Sequence, residues 1–100
     1  MQEIIIKSFN KQKMFHYCDL IEKRISEGET SFLIDFTRTK FFEPFSMVYF
    51  LSFVHRNKNT LNIKFEVKKS DVTDACNYAD FMGFFKSLEG SISKNFNFEF

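Results

Sequence analysis

Two acidic side chains are the first candidates for chemistry. Asp35 follows the apolar run Ser31 to Ile34, and Glu43 stands immediately before Pro44. An acid at the carboxyl end of a buried strand lies where open α/β sheets place functional residues, so it could serve as a general base or metal ligand. Such acids also cap helices or accept hydrogen bonds from loop amides. We favour this structural interpretation, which predicts a chain that is not an enzyme.

Cysteine, histidine and glycine show no spacing that indicates a reactive or ligand-binding site. Cys18 and Cys76 are far apart and lie on apolar faces of predicted helices, so we expect buried thiols rather than nucleophiles. His16 and His55 are separate and have no metal-ligand spacing. The glycines are isolated and form no phosphate-binding loop. We therefore expect neither a metal nor another cofactor.

Composition narrows the classes of partner. A chain of 100 residues is one ordinary domain, expected to span residues 1–100. Its net charge of +1 provides no attraction to nucleic acid or to an anionic membrane. No apolar run approaches the roughly 20 residues of a membrane span, and the N-terminus lacks a secretory signal. These features predict a cytoplasmic location.

The first half of the chain should form strand, helix and strand. Residues 3–9 predict a strand, and Asn10 is a good cap for a helix that ends at Gly28. The apolar stripe of that helix consists of Met14, Tyr17, Cys18, Ile21 and Ile25. Residues 31–36 are almost continuously apolar, which is typical of a central strand buried on both faces.

The second half should continue the alternation. Pro44 predicts the start of a helix of about three turns that ends near His55 and Arg56. Residues 61–67 alternate like an edge strand. Ser70 or Asp71 should cap a third helix that stops near Gly83, and Phe96, Phe98 and Phe100 favour a final strand.

This order predicts an α/β fold with a mixed, mostly parallel sheet of about four strands, covered by three or more helices. A split, ferredoxin-like arrangement is the alternative.

Aromatic residues are concentrated around the start of the second helix. The sequence has sixteen Phe and no Trp. Met47, Val48 and Leu51 are predicted to form the core side of this helix. Phe45, Tyr49, Phe50 and Phe53 together hold more apolar area than one core contact uses, which indicates a surface that another protein covers. Phe41, Phe42, Phe45 and Tyr49 would be its anchors.

Two segments resemble the STAS family, the sulfate transporter and anti-sigma factor antagonist domains. "LIDFTRTKFFEPFSMVYFL" is similar to that family's central strand, loop and helix, and "YADFMGFFKSL" is similar to its later apolar-Gly-apolar helix end. The resemblance implies a small STAS-like fold without the family's full N-terminal hairpin, and a regulatory rather than enzymatic role.

Carried over by position, Asp35 and Thr37 match the strand-end acid and hydroxyl, and Glu43 matches the acid before the regulatory serine. Pro44 stands where anti-sigma factor antagonists carry a phosphorylatable serine, so the serine switch is not expected, although the adjacent Ser46 has a hydroxyl. Acid followed by proline resembles STAS-like domains found beside histidine-kinase-like ATPases. The resemblance therefore implies such an ATPase as the protein partner.

Three functional hypotheses follow. The first is a non-enzymatic regulatory module that binds a protein partner through Phe41, Phe42, Glu43, Pro44, Phe45, Ser46 and Tyr49. Glu43 and Ser46 would supply polar contacts at the rim. The second is a homodimer or assembly subunit that uses the same aromatic residues. The third is a small enzyme that uses Asp35 and Glu43.

Overall fold

The chain forms strands and helices in the predicted alternating order over the first 68 residues, followed by two further helices. The structure, a computed structural model, describes residues 1–88. The elements are β1 (Gln2–Ile5), α1 (Lys11–Ser26), β2 (Ser31–Asp35), α2 (Pro44–Leu61), β3 (Lys64–Lys68), α3 (Asp74–Phe81) and α4 (Phe84–Leu88).

The sheet within residues 1–88 is parallel and has the order β1-β2-β3. Phe32 of β2 lies opposite Gln2 and Phe65, so the apolar strand is central and the alternating strand lies at an edge, as predicted. The α/β class is confirmed. The split alternative is wrong for these strands, because β1 and β2 are direct hydrogen-bonded neighbours. The predicted strand over residues 96–100 lies outside the described residues.

One face of this sheet carries the core. Ile4, Phe32, Ile34 and Phe65 are buried in a single cluster with the apolar faces of the helices. On the other face, Glu3 and Glu66 flank Leu33 in register. Both acids are exposed and Leu33 is half-buried, so the described helices cover the sheet on one side. Within residues 1–88, the prediction that the central strand is buried on both faces is therefore wrong.

α1 follows the sequence pattern closely. The Asn10 side chain accepts a hydrogen bond from the Lys13 amide at 2.9 Å and satisfies one of the free N–H groups of the first turn. Met14, Cys18 and Ile21 form the buried stripe. Beyond the last turn, Gly28 adopts a φ of 105°, which glycine adopts without a Cβ clash.

α2 is longer than predicted, with 18 residues, because it continues beyond His55 and Arg56 to Leu61. Asn57 is buried, and its side-chain amide donates to the Phe53 carbonyl at 2.8 Å. Packing therefore overrides the low helix propensity of this segment. Leu61 belongs to α2, and β3 begins only at Lys64.

α2 also differs from prediction in its buried face. Met47 and Leu51 are in the core as expected, but Val48 is 43% exposed. Phe50 and Phe53 are buried in its place, so the prediction that they belong to an excess apolar surface is wrong.

Phenylalanine fills the core at the carboxyl end of the sheet. Six buried rings pack mostly edge to face or tilted. This arrangement brings the positive edge of one ring toward the negative face of another, which is favourable. Phe9 lies 5.4 Å from Phe50 and 5.5 Å from Phe36 between ring centroids, and Phe36 lies 5.4 Å from Phe85. The phenylalanine cluster consists of Phe9, Phe36, Phe42, Phe50, Phe84 and Phe85. Core packing thus explains much of the aromatic composition.

The segment after β3 begins its helix later than predicted. Thr73, rather than Ser70 or Asp71, caps α3 and accepts a hydrogen bond from the Cys76 amide at 3.3 Å. α3 ends before Gly83, whose φ of 83° turns the chain into α4. The short helix α4 was not predicted, and it delivers Phe84 and Phe85 to the core.

No helix in the described part of the chain is long and apolar enough to cross a membrane.

Candidate partner-binding surface

The loop that precedes α2 is fixed against the segment after β1. The Thr39 hydroxyl donates to the Ile6 carbonyl, and the Glu43 amide donates to the Phe9 carbonyl at 3.2 Å. Phe9 and Phe42 form a parallel bridge between the two segments. Around Phe42 the chain is therefore extended, so successive side chains there point to opposite sides.

This alternation separates two neighbouring phenylalanines. Phe42 points into the phenylalanine cluster and is 1% exposed, whereas Phe41 is 58% exposed. The prediction that Phe42 is a surface anchor for a partner is wrong, because its ring is already buried within the chain. No local pattern distinguishes the two rings, since the pairing with Phe9 that decides between them spans more than thirty residues.

The start of α2 corrects a second prediction. Pro44 occupies the first helical turn as expected, and Glu43 stands at the N-cap. The Ser46 hydroxyl donates to Glu43 Oε1 at 2.9 Å, and Ser46 is fully buried. Ser46 therefore cannot supply a rim contact or an accessible hydroxyl, while the half-buried Glu43 reaches the surface.

Three aromatic rings from α1 and α2 form one cluster that remains partly exposed. Tyr49 lies 4.9 Å from Phe15 and 6.2 Å from Phe45, centroid to centroid, and Phe15 lies 6.5 Å from Phe45. Phe45 is 49% exposed and Tyr49 is 38% exposed. We call Phe15, Phe45 and Tyr49 the aromatic surface. It combines two predicted anchors with a residue of α1.

Phe15 was not among the predicted site residues. It sits beside Met14 but off the buried stripe of α1, and it is half-buried. A large aromatic residue off an amphipathic stripe is the signal that could have identified it. Lys11, one turn before Phe15, places its ammonium nitrogen 5.6 Å from the Phe45 ring centroid. This cation–π contact puts a positive charge beside the aromatic surface.

The Asp35 carboxylate is hydrogen-bonded within its own loop. Its Oδ1 accepts hydrogen bonds from the Thr37 hydroxyl at 2.6 Å and the Thr37 amide at 2.8 Å. Burial acts to raise the pKa of Asp35, but these bonds and the charges of Lys68 and Arg38 outweigh it and lower the pKa below its usual value. A carboxylate held in this way shapes the turn. Because Glu43 is bonded to Ser46, each acid of the enzyme hypothesis has a structural partner.

Both cysteines are free and buried, as predicted. Burial is the main cause that raises the pKa of the Cys18 thiol to about 12, so a reactive thiolate does not form there near neutral pH. The Cys76 thiol donates to the Phe36 carbonyl at 3.3 Å. Across residues 1–88, no group of three or more His, Cys, Asp or Glu side chains is arranged to hold a metal ion.

Comparison with protein-family models, with curated proteins and with solved structures gives no match. The STAS resemblance therefore stays a hypothesis that rests on the quoted residues.

Proposed function

We propose that this chain is a non-enzymatic regulatory module that binds a protein partner through the aromatic surface. The observation that carries the proposal is that Phe45 and Tyr49, at the start of α2, pack against Phe15 of α1 and still remain partly exposed. This is the region that the STAS resemblance implies for partner contact. The same resemblance makes a histidine-kinase-like ATPase the favoured class of partner.

The aromatic surface has the properties of a preorganised interface. Its rings already contact one another, so their side chains lose less conformational freedom when a partner covers them. Large aromatic residues often dominate interface energetics because they bury much area with few rotatable bonds. Phe41 and Val48 are also exposed and lie within four residues of Phe45 in the sequence.

Charge further defines the proposed partner segment. Lys11 lies over Phe45 and forms no ion pair with another described residue. We propose that the partner supplies an apolar segment with an acidic side chain placed opposite Lys11. Regulation would not use phosphorylation of Ser46, because its hydroxyl is buried and bonded to Glu43. The free, buried cysteines fit the proposed cytoplasmic location.

The test compares two charge substitutions at exposed phenylalanines. The partner is identified by pull-down and mass spectrometry, and its affinity for purified variants is then measured by calorimetry. Phe45→Asp should weaken binding about tenfold or more, because it introduces a charge at an anchor that the partner would bury. Phe81→Asp is the matched control: Phe81 is 86% exposed on α3 and lies outside the aromatic surface, so the variant should bind like the wild type.

Circular dichroism would establish that both variants fold. If folded Phe45→Asp and Tyr49→Asp variants bound the partner with unchanged affinity, the aromatic surface would not be the interface.

The alternative is a homodimer or assembly subunit in which a second copy covers the same aromatic surface. Light scattering on the purified chain separates the two functions. A dimer that persists on dilution and that Tyr49→Asp converts to a monomer would favour the alternative. A monomer that binds the captured partner would favour the regulatory module.

A further inference from the structure

A second feature is an open cleft at the carboxyl edge of the sheet. It has a volume of about 710 Å³ and is lined by the segments that follow all three described strands. Lys7 and Ser8 follow β1, residues 37–40 follow β2, and residues 73–75 lead into α3 after β3. Parallel α/β sheets commonly bind ligands at this edge, because loops from several strands converge there.

Positive charge exceeds negative charge in the lining. Lys7, Arg38 and Lys40 meet one carboxylate in the lining, that of Asp74. The ion pairs of residues 1–88 are Arg24–Glu27, Lys64–Glu66 and Lys69–Asp80. None of the three cations of the cleft forms an ion pair with a described residue. The Asp35 carboxylate, bonded to Thr37 of the lining, interacts with Arg38 and Lys68. Positive charge still exceeds negative charge around the cleft, which favours an anionic ligand.

The remaining donors favour an anion with several oxygens. The hydroxyls of Thr37 and Thr39 are engaged within the chain, while Ser8 is exposed at the cleft. The first turn of α3 also lines the cleft. Thr73 accepts from the Cys76 amide, but the amides of Asp74 and Ala75 come before the first acceptor within the helix. A phosphate ester carries up to two negative charges and three terminal oxygens, whereas a carboxylate carries one charge and two oxygens.

We infer that the cleft binds the phosphate group of a small phosphate monoester. Arg38 forms paired N–H···O bonds with the phosphate, and Lys7 and Lys40 balance its second charge. The cleft volume lies within the range of small-molecule sites, so it accommodates an organic group in addition to the phosphate. This site shares no residue with the aromatic surface.

The test is a nuclear magnetic resonance titration of the isotope-labelled full chain at constant ionic strength. The probes are inorganic phosphate, glycerol 3-phosphate and acetate. Both phosphate compounds should give saturable shifts at the amides of residues 38–40 and 75, and acetate should not. Binding of glycerol 3-phosphate should weaken below the second pKa of a phosphate monoester, about 6, where the ligand loses one charge. The described lining contains no histidine, so this loss of binding would report on the charge of the ligand.

Arg38→Gln should weaken phosphate binding about tenfold or more, since it removes charged hydrogen bonds. Lys13→Gln, an exposed lysine of α1 outside the cleft, should leave the affinity unchanged. Equal saturation by acetate, or unchanged affinity in folded Arg38→Gln, would show an adventitious ion only and overturn the inference. Binding of inorganic phosphate with exclusion of glycerol 3-phosphate would also overturn it.

Discussion

Phe41 and Phe42 are chemically identical neighbours with opposite environments. Phe42 contacts Phe9, Phe36, Phe84 and Phe85 within the phenylalanine cluster, whereas most of Phe41 is exposed. The chain is extended at these two residues, and the bridge between Phe9 and Phe42 fixes which ring points inward. Sequence analysis found the right segment but could not assign the two rings, since that register depends on a pairing between distant parts of the chain.

Phe42→Ala should lower the free energy of unfolding by about 3–5 kcal/mol, because it leaves a cavity among buried rings. Phe41→Ala should change it by no more than about 0.5 kcal/mol, as is usual for an exposed side chain. Urea denaturation of the two variants makes the comparison. Similar losses in both would contradict the inward and outward assignment.

His55 makes stability depend on pH. Burial is the main cause that lowers the pKa of its imidazole below the ordinary value of 6.5, and the charge of Lys58 lowers it further. The unfolded chain therefore takes up this proton at a higher pH than the folded chain does. The contribution of His55 to stability is complete above pH 6.5 and decreases as the pH falls toward the lower pKa of the folded state.

Urea denaturation between about pH 8 and about pH 5 should show this loss in the wild type and a smaller loss in His55→Gln. His16→Gln is the control, because His16 is exposed on α1 and should retain the wild-type dependence. Identical pH profiles for His55→Gln and the wild type would contradict the assignment.

At the scale of elements, local signals succeeded where a single side chain determines the start of a helix. Asn10 at α1 and Pro44 at α2 are examples. The end of α2 was missed, because Asn57 and its neighbours are weak helix formers that tertiary packing retains in the helix. α4 was missed because five residues are too few to show a helical period.

Removing the α1 cap measures one of these local signals. Asn10→Ala should lower the free energy of unfolding by about 1 kcal/mol, because the Lys13 amide loses its acceptor. Asn10→Asp should retain most of the stability, since a carboxylate accepts the same hydrogen bond. Thermal denaturation followed by circular dichroism tests both variants, and an equal loss in the two would argue against capping.

At the scale of the whole molecule, composition and alternation predicted the α/β class and the central position of β2. They did not predict how the sheet is covered, because the cluster joins rings from segments far apart in sequence. The same limitation applies to the candidate site. Phe45 and Tyr49 were predicted to be surface anchors, but Phe15 joins them only through the packing of α1 against α2.

The phenylalanine cluster also has a consequence for synthesis on the ribosome. Phe84 and Phe85 contact Phe36 and Phe42, and they are among the last of the described residues to be translated. Until they emerge from the exit tunnel, the rings contributed by earlier segments lack these contacts and remain open to water or to chaperones. The core is therefore completed only after α4 has been synthesised, and the nascent chain is exposed to aggregation until then.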